Sequence, residues 1–458
     1  MAPGAVGMNG REPRRRAGER GRILYLSMDG VLDPLGRSQI LAYLRGLAKL
    51  GFAYTLVSLE RKPALADADR VAATRRELEA LHVRWIYGRY FWGSGPLRVA
   101  ANWCNMLRLA LGAARRAPPR ERPNLIHARA HVAGSVALVV HKITGTPFLF
   151  DMRSYWVDEQ AHAGRWFSNR FAYRFGKWVE RKTLRAASGV VTLNQVIATD
   201  LRSNNLRDDD LRSEVARAGA LHDQPAKPIV VIPTCADYDL FSPDRPANGA
   251  VPPEILERLR GKLVIGWLGA INKNYYPAES LTLFRYLLEL RPDAHLLCLT
   301  QQQDEMRRLL ADQGLAENAA HAVSTVAAAR HEDAGEWLRL MHWGLLLLVE
   351  TFSSRGAMPT KLAEFLAMGV RPIVHGCNQE VRERIQAAGS GLVLAGLSEA
   401  DLRSAARQIA QTPLDEHITR AARNATRSYF SLEAGVASYE SLLLQLIPGE
   451  ARSTEAGG

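Results

Sequence analysis

The chain has 458 residues, 47% of them hydrophobic and 23% charged, with a formal net charge of +12. That length and composition suit a globular protein with real cores, most naturally divided into two large domains. No apolar run approaches the ~20 residues that cross a bilayer. Residues 1–21 contain arginines without a following apolar stretch, so they read as a disordered basic arm rather than a secretory signal. Cys104, Cys235, Cys298 and Cys377 are scattered, without CxxC spacing or a histidine partner at metal-site distance. This predicts reduced thiols, a cytoplasmic location and no structural metal. The positive charge concentrates in 1–22 and 163–188, which carry +4 and +6. A nucleic-acid binder would spread a basic face over a folded domain, so two local patches favour an anionic surface, most simply a membrane.

From residue 22 the pattern alternates short apolar runs with helical spacing. "RILYLSM" reads as a strand, "SQILAYLRGLAKLGF" as an amphipathic helix ending at Gly51, and "AYTLVSLE" and "VRWIY" as further strands. A long helix around 97–115 follows, then "NLIHARA", "PFLFDM" and "GVVTLN". Such runs between helices predict a parallel sheet covered on both faces. Residues 202–227 are polar and aperiodic, an expected insertion, and the "DDD" at 208–210 reads there as a solvated acidic turn. A second series begins after "PIVVIPTCADYDLFSPDRP": "KLVIGWLGA", "AHLLCLT", "GLLLLVE", "RPIVHG" and "SGLVLAG". The expected class is α/β, with doubly wound, Rossmann-like domains at 22–235 and 236–425 facing across a cleft. A last helix within 426–449 is expected to pack back on the first domain, and 450–458 to be a disordered tail. Ligands of open α/β sheets bind at the carboxyl ends of the strands.

The stretch "AMPTKLAEFLAMGVRPIV", residues 357–374, carries the clearest chemistry. Pro359 suits the first position of a helix that follows a buried strand, and Gly369 stops that helix. Free amides of Thr360 and Lys361, with the positive end of the helix dipole behind them, form a phosphate site. Lys361 adds a full charge there. Glu364, one turn on, can accept hydrogen bonds from a ribose diol. The plain alternative is a surface Lys–Glu pair worth a few tenths of a kcal/mol.

Together with "SMDGVLDPLGRSQILAYLRGLAKLGF", "FDMRSYWVDE", "SGVVTLNQ", "VIPTCADYDLF" and "IGWLGAI", this stretch resembles the retaining glycosyltransferases of family 4, in the branch with a P-T-K-x-x-E donor motif. The resemblance runs from about 22 to 425. It implies the GT-B fold and transfer of a sugar from a nucleoside-diphosphate sugar, without metal or cofactor. It further implies that Glu364 binds ribose, that Thr360, Lys361 and Lys273 hold the donor phosphates, and that His131 contacts the donor sugar. Arg129 is expected on the donor side. The loop "DGVLDPLGRS" would approach the reaction centre, with Gly30 and Gly36 admitting a phosphate or sugar close to the backbone. Asp29, Asp151 and Arg153 are assigned to the acceptor. Lone histidines such as His127 and His131 are also common structural residues, and Asp158 and Glu159 equally suit a helix cap.

One departure from the family concerns the carboxylate it usually places eight positions before the ribose glutamate. Gly356 stands there, and Glu350 is earlier in the chain. A variant donor pocket follows, with sugar and base undetermined.

In 163–188, Phe167, Phe171, Phe175 and Trp178 form one helical stripe and Arg170, Arg174, Lys177 and Arg181 another, beside Trp166 and Tyr173. The aromatic stripe is expected to face the core. The basic stripe is expected to be solvated and to suit anionic headgroups on the inner face of a membrane. The function expected is extension of a saccharide or lipid-linked acceptor in surface polysaccharide synthesis. The alternatives are a nucleotide-sugar epimerase of the same fold and a non-catalytic membrane assembly protein.

Overall fold

The computed structural model describes residues 19–93, 95–203, 227–315, 323–414 and 416–447. The basic arm up to residue 18, the acidic turn at 208–210 with most of its polar segment, and the tail after 447 lie outside the described residues.

The apolar runs gather into two sheets in which every strand pair is parallel. The first holds β1 (Gly21–Ser27), β2 (Phe52–Glu60), β3 (Arg84–Arg89), β4 (Leu125–Arg129), β5 (Phe148–Met152), β6 (Gly189–Thr192) and β7 (Ile229–Val231), in the order β3-β2-β1-β4-β5-β6-β7. The second holds β8 (Leu263–Leu268), β9 (Ala294–Leu299), β10 (Ser324–Ala327), β11 (Trp343–Leu347), β12 (Arg371–His375) and β13 (Leu392–Val393), in the order β10-β9-β8-β11-β12-β13. The strand order reverses between β1 and β4 and between β8 and β11, which opens a crevice at the carboxyl ends of those strands.

Strand alternation supplies the packing. Leu24, Leu26, Val57, Ile126 and Phe150 face one helical layer of the first sheet. Ile23, Tyr25, Tyr54, Leu56 and Leu125 face the other. The second sheet divides in the same way, with Val264, Leu297, Leu346 and Val374 on one side and Ile265, Leu296, Leu345 and Ile373 on the other. Neither face is wet, so the strands read as nearly continuous apolar runs.

The chain crosses between domains twice. The outbound segment after β7 and the return at 430–432 lie side by side, joined by Ala236 N–H to Phe430 O at 2.9 Å and Leu432 N–H to Ala236 O at 2.8 Å. Ser431 then caps the final helix, Leu432–Leu446, by accepting from the Ala434 amide at 3.2 Å. That helix lies on helix Ala42–Lys49, with Val436 against Gly46, and Tyr439, Leu442, Leu443 and Ile447 complete the first domain's core. Each fully buried leucine there contributes roughly 1.5–3 kcal/mol. No helix among the described residues is long and apolar enough to cross a membrane.

Candidate active site in the interdomain cleft

Helix Thr360–Met368 follows buried β11 and the short turn Ser353–Gly356. Pro359 is the residue before the helix, extended at φ −63° and ψ 134°, and Thr360 is the first helical residue, one position later than the sequence suggested. Pro359 supplies no side-chain cap, so the first-turn amides are left for a ligand or water. Gly369 ends the helix in the left-handed conformation at φ 73°, where a side chain is strained.

Lys361 and Glu364 are enclosed at the start of this helix. The Lys361 ammonium sits 3.9 Å from the centre of the Tyr275 ring and 5.4 Å from that of Trp267. Gly269, at the end of the β8 loop, borders the same ammonium. Among the described residues no carboxylate lies within ion-pair distance of Lys361. Burial pulls its pKa down to about 7, with Glu364 opposing the shift. Burial likewise lifts Glu364 to about 7, opposed by Lys361. The imidazole of His331 lies 4.0 Å from the Glu364 carboxylate. Glu364 accepts no side-chain hydrogen bond among the described residues.

Two cavities flank this first turn. One, of about 300 Å³, is bounded by Pro359, Lys273 and Tyr275 from the second domain and by Arg153, Glu159 and His162 from the first. The other, of about 170 Å³, lies between Glu364, His331 and Asp237 on one side and Arg37 and Arg45 on the other. Pro359 therefore borders one chamber and Glu364 the other, with half-buried Lys361 in the same turn. Lys273 is exposed at the cleft wall.

The residues assigned to the acceptor divide. Arg153 lines the cleft, whereas Asp151 is fully buried behind it. Asp151 lies 3.3 Å from Arg153, 3.6 Å from Arg129 and 3.7 Å from His127, and accepts a bond from the Tyr439 hydroxyl at 3.0 Å. Burial alone would raise its pKa, but Arg153, His127 and Arg129 hold it well below the ordinary carboxylate range. Asp151 is thus an anchor joining the final helix to the sheet, out of reach of an acceptor. Arg129 is buried with its Nε unpaired, 3.9 Å from half-exposed Asp29. Asp29 and Arg129 sit at the carboxyl ends of neighbouring strands β1 and β4.

The Cβ side of Gly36 is filled by its own loop rather than left open for a ligand. A Cβ there would meet Gly30 O at 2.0 Å, and one on Gly30 would meet the Glu60 carboxylate at 2.4 Å. The loop closes on itself because buried Glu60 accepts from the amides of Val31 and Leu32 at 2.9 and 3.1 Å and from the Ser58 hydroxyl at 2.6 Å. Nothing in the sequence marked Glu60, since a glutamate ending a strand is ordinarily solvated.

His131 also departs from its expected role. It lies outside both cleft cavities, pairs with Glu180 at 2.8 Å and stacks on Trp156 at 5.9 Å. Glu180 and Asp158 both hold Lys177, at 2.5 and 3.1 Å, and Tyr173 donates to Asp158 at 2.8 Å. Burial would raise Glu180, but Lys177 and His131 bring it down to about 2. Lys177 therefore points inward, and the expected basic stripe loses one member. The aromatic stripe is reversed too: Phe167 is buried, but Phe171 is 83% exposed and Phe175 and Trp178 are half exposed. The cause is the inward Lys177–Glu180 pair with Gly176, Thr183 and Leu184, which takes the core face of helix Arg170–Ala186.

Gly356 is buried against the first domain. A Cβ would stand 3.0 Å from both Tyr155 and Ile197. Around it, the Tyr155 hydroxyl donates to Asp200 at 2.5 Å, Arg355 lies 3.5 Å from Asp200, and Asn194 donates to Arg355 O at 3.2 Å. The loop that would carry a carboxylate toward a donor sugar is instead a contact between domains. Glu350 is exposed, 4.0 Å from His375. Among the described residues no three His, Cys, Asp or Glu side chains gather as a metal site.

Residues 36–213 match the family described as Glycosyl transferase 4-like domain. No curated protein matches. Among solved structures, sucrose-phosphate synthase of Thermosynechococcus elongatus is 16% identical with a TM-score of 0.64, over 93% of this chain and 99% of its own. HepE of Anabaena, solved with UDP and glucose, is 13% identical with a TM-score of 0.59, over 92% and 99%. A UDP-N-acetylglucosamine 2-epimerase, so assigned, of Listeria monocytogenes is 13% identical with a TM-score of 0.55, over 92% and 94%. Residues 36–213 thus match a Glycosyl transferase 4-like domain, and the described chain has the two-domain, Rossmann-like fold of GT-B glycosyltransferases.

Proposed function

We propose that the protein transfers a sugar from a nucleoside-diphosphate sugar to a saccharide or lipid-linked acceptor, with retention of configuration and without a metal, in surface polysaccharide synthesis. The observation that carries this reading is the unpartnered Lys361 and Glu364 in the first turn of a cleft-facing helix. Neither side chain forms a hydrogen bond among the described residues, so both keep their charged groups available to a ligand. A nucleoside diphosphate has both complements: phosphate oxygens for Lys361 and the first-turn amides, and a ribose diol for Glu364. HepE, whose structure holds UDP, shares the fold and makes UDP the first donor nucleotide to test.

In the reaction the anomeric C–O bond to the diphosphate breaks and a bond to the acceptor hydroxyl forms on the same face of the sugar. The acceptor's proton passes to the departing phosphate. Lys361, Lys273 and the helix amides stabilise the negative charge that grows on that phosphate. Arg153, Glu159 and His162 form the opposing, acceptor-side wall.

Calorimetry with UDP and a thermal-shift panel of nucleoside diphosphates test the site. Lys361→Ala and Glu364→Ala are each expected to lose most binding and transfer while remaining folded; unchanged binding in both overturns the assignment. A structural neighbour assigned as a UDP-N-acetylglucosamine 2-epimerase favours one second reading, an epimerase acting on the donor alone. Incubation of donor without acceptor separates the two: an epimerase converts the sugar, a transferase at most hydrolyses it slowly.

A further inference from the structure

A second cavity, of about 470 Å³, opens on the first domain between helices Pro96–Arg116, Ala130–Thr144 and Arg170–Ala186. Its size falls within the ~300–1,000 Å³ of small-ligand pockets. Val99, Leu138, Val139, Phe175, Trp178 and Val179 supply much of its apolar wall. Phe175 and Trp178 stack at 5.9 Å at half-exposed positions, and Leu97, at the start of the first of these helices, is 84% exposed. A soluble surface rarely leaves so many large apolar side chains together unless something covers them.

Three further features narrow the occupant. Exposed Lys142, Arg174 and Lys182 belong to the same helices and form no ion pair among the described residues, so the surroundings favour an anion. His131 and Thr183, both more than nine-tenths buried in the wall, leave Nδ1 and Oγ1 without hydrogen-bond partners. A purely hydrocarbon filling would leave those two atoms bare, so the occupant carries a polar group as well as a chain. Finally, helix Trp156–His162 separates this cavity from the cleft: Trp156 and Val157 line the one, Glu159 and His162 the other.

We infer that the groove holds the hydrocarbon chain of an anionic lipid-phosphate acceptor, whose head passes helix Trp156–His162 to reach the cleft. The inference rests on the transferase reading for the acceptor's fate, but not for the groove's chemistry. It makes the acceptor an amphiphile rather than a free saccharide, and it assigns the exposed aromatics to chain and bilayer contact.

Geranylgeranyl monophosphate in dilute detergent is the probe, with calorimetry as the readout. Saturable binding is expected in the wild type, at least tenfold weaker in Ala100→Trp and in Val139→Trp, which fill the groove from two helices. Both variants are expected to keep the wild-type thermal shift with UDP, which shows that they are folded and separates groove from donor site. Wild-type affinity in both variants, or no saturable binding, overturns the inference and leaves the transferase reading standing. Full displacement by inorganic phosphate overturns it too, since the chain would then contribute nothing. Sedimentation showing a dimer that either substitution dissociates would make the groove an interface between two copies and likewise overturn it. Loss of UDP binding with retained lipid binding would instead remove the transferase reading and leave the groove assignment intact.

Discussion

Affinity for UDP should fall steeply as pH rises from 7 to 9, because the Lys361 ammonium loses its proton in the empty site. Burial over Tyr275 and Trp267 brings its pKa down to about 7 in the free protein. A diphosphate beside it restores a counter-charge and raises the pKa back toward the ordinary lysine range. The binding-competent, protonated fraction is about one half at pH 7 and about one in a hundred at pH 9, so the apparent Kd rises roughly 50-fold. Calorimetry in buffers of different ionisation enthalpy should detect close to one proton taken up per UDP at pH 8 to 9. Lys361→Met keeps the stem over the two rings but cannot titrate, so its weaker binding should be flat with pH. Equal wild-type affinity at pH 7 and pH 9, or the same slope in Lys361→Met, would refute the reasoning.

Glu364→Gln should weaken UDP binding roughly 10- to 100-fold, the span expected for losing hydrogen bonds to a charged acceptor. The same change should raise the melting temperature of the empty protein at pH 8 but not at pH 4. The folded carboxyl titrates at about 7, above its unfolded value of 4.5, so its relative stability is intact below 4.5 and lost as pH rises through 7. Gly356→Glu should not improve transfer: its Cβ would press on Tyr155 and Ile197, costing about 1–3 kcal/mol in a urea melt. A faster, equally stable variant would refute the placement of that loop. Tyr439→Phe removes the donor to buried Asp151 and should cost about 1.5–3 kcal/mol at pH 7. Asp151 is held below its unfolded pKa, so the stability it contributes is present at neutral pH and lost as pH falls through the acid range. The Tyr439→Phe deficit should therefore shrink toward pH 2, as measured by denaturation at both pH values.

The two parallel sheets were legible because strands buried on both faces must be apolar throughout, as in "RILYLS" and "LVIGWL". β7 and β10 escaped notice for the opposite reason: each is a short strand at a sheet edge, and Ser324 and Thr325 dilute the apolar signal of β10. His331, next to Glu364, went unremarked with β10, whose following loop carries it. Helical spacing identified the stripes of 163–188 but assigned the wrong face to the core. The wheel gives the angle between Phe175 and Lys177; it does not reveal that Asp158 and Glu180 are waiting inside for the lysine. Long-range partners are what a single sequence conceals. The same limit explains Asp151, Gly36 and His131, residues of plausible chemistry whose functional groups or space are consumed by Tyr439, Gly30 and Glu180.

That contrast also bears on Lys361 and Glu364, whose charged groups are not consumed by hydrogen bonds among the described residues. Glu60 accepts two amides and a hydroxyl, Asp151 is surrounded by two arginines and bonded by a tyrosine, and Glu180 is bonded by a lysine and a histidine. At Asp151 and Glu180 the partners outweigh burial and keep the carboxylate ionised, whereas burial still raises Glu60 despite its three bonds. Glu364 is buried and Lys361 half-buried, and without such partners burial brings both pKa values to about 7. A fold that satisfies its other buried carboxylates so fully has no structural use for an ammonium facing only aromatic rings. Its place at an uncapped helix start, between two chambers of a cleft, suits the proposed partner, a diphosphate that comes and goes.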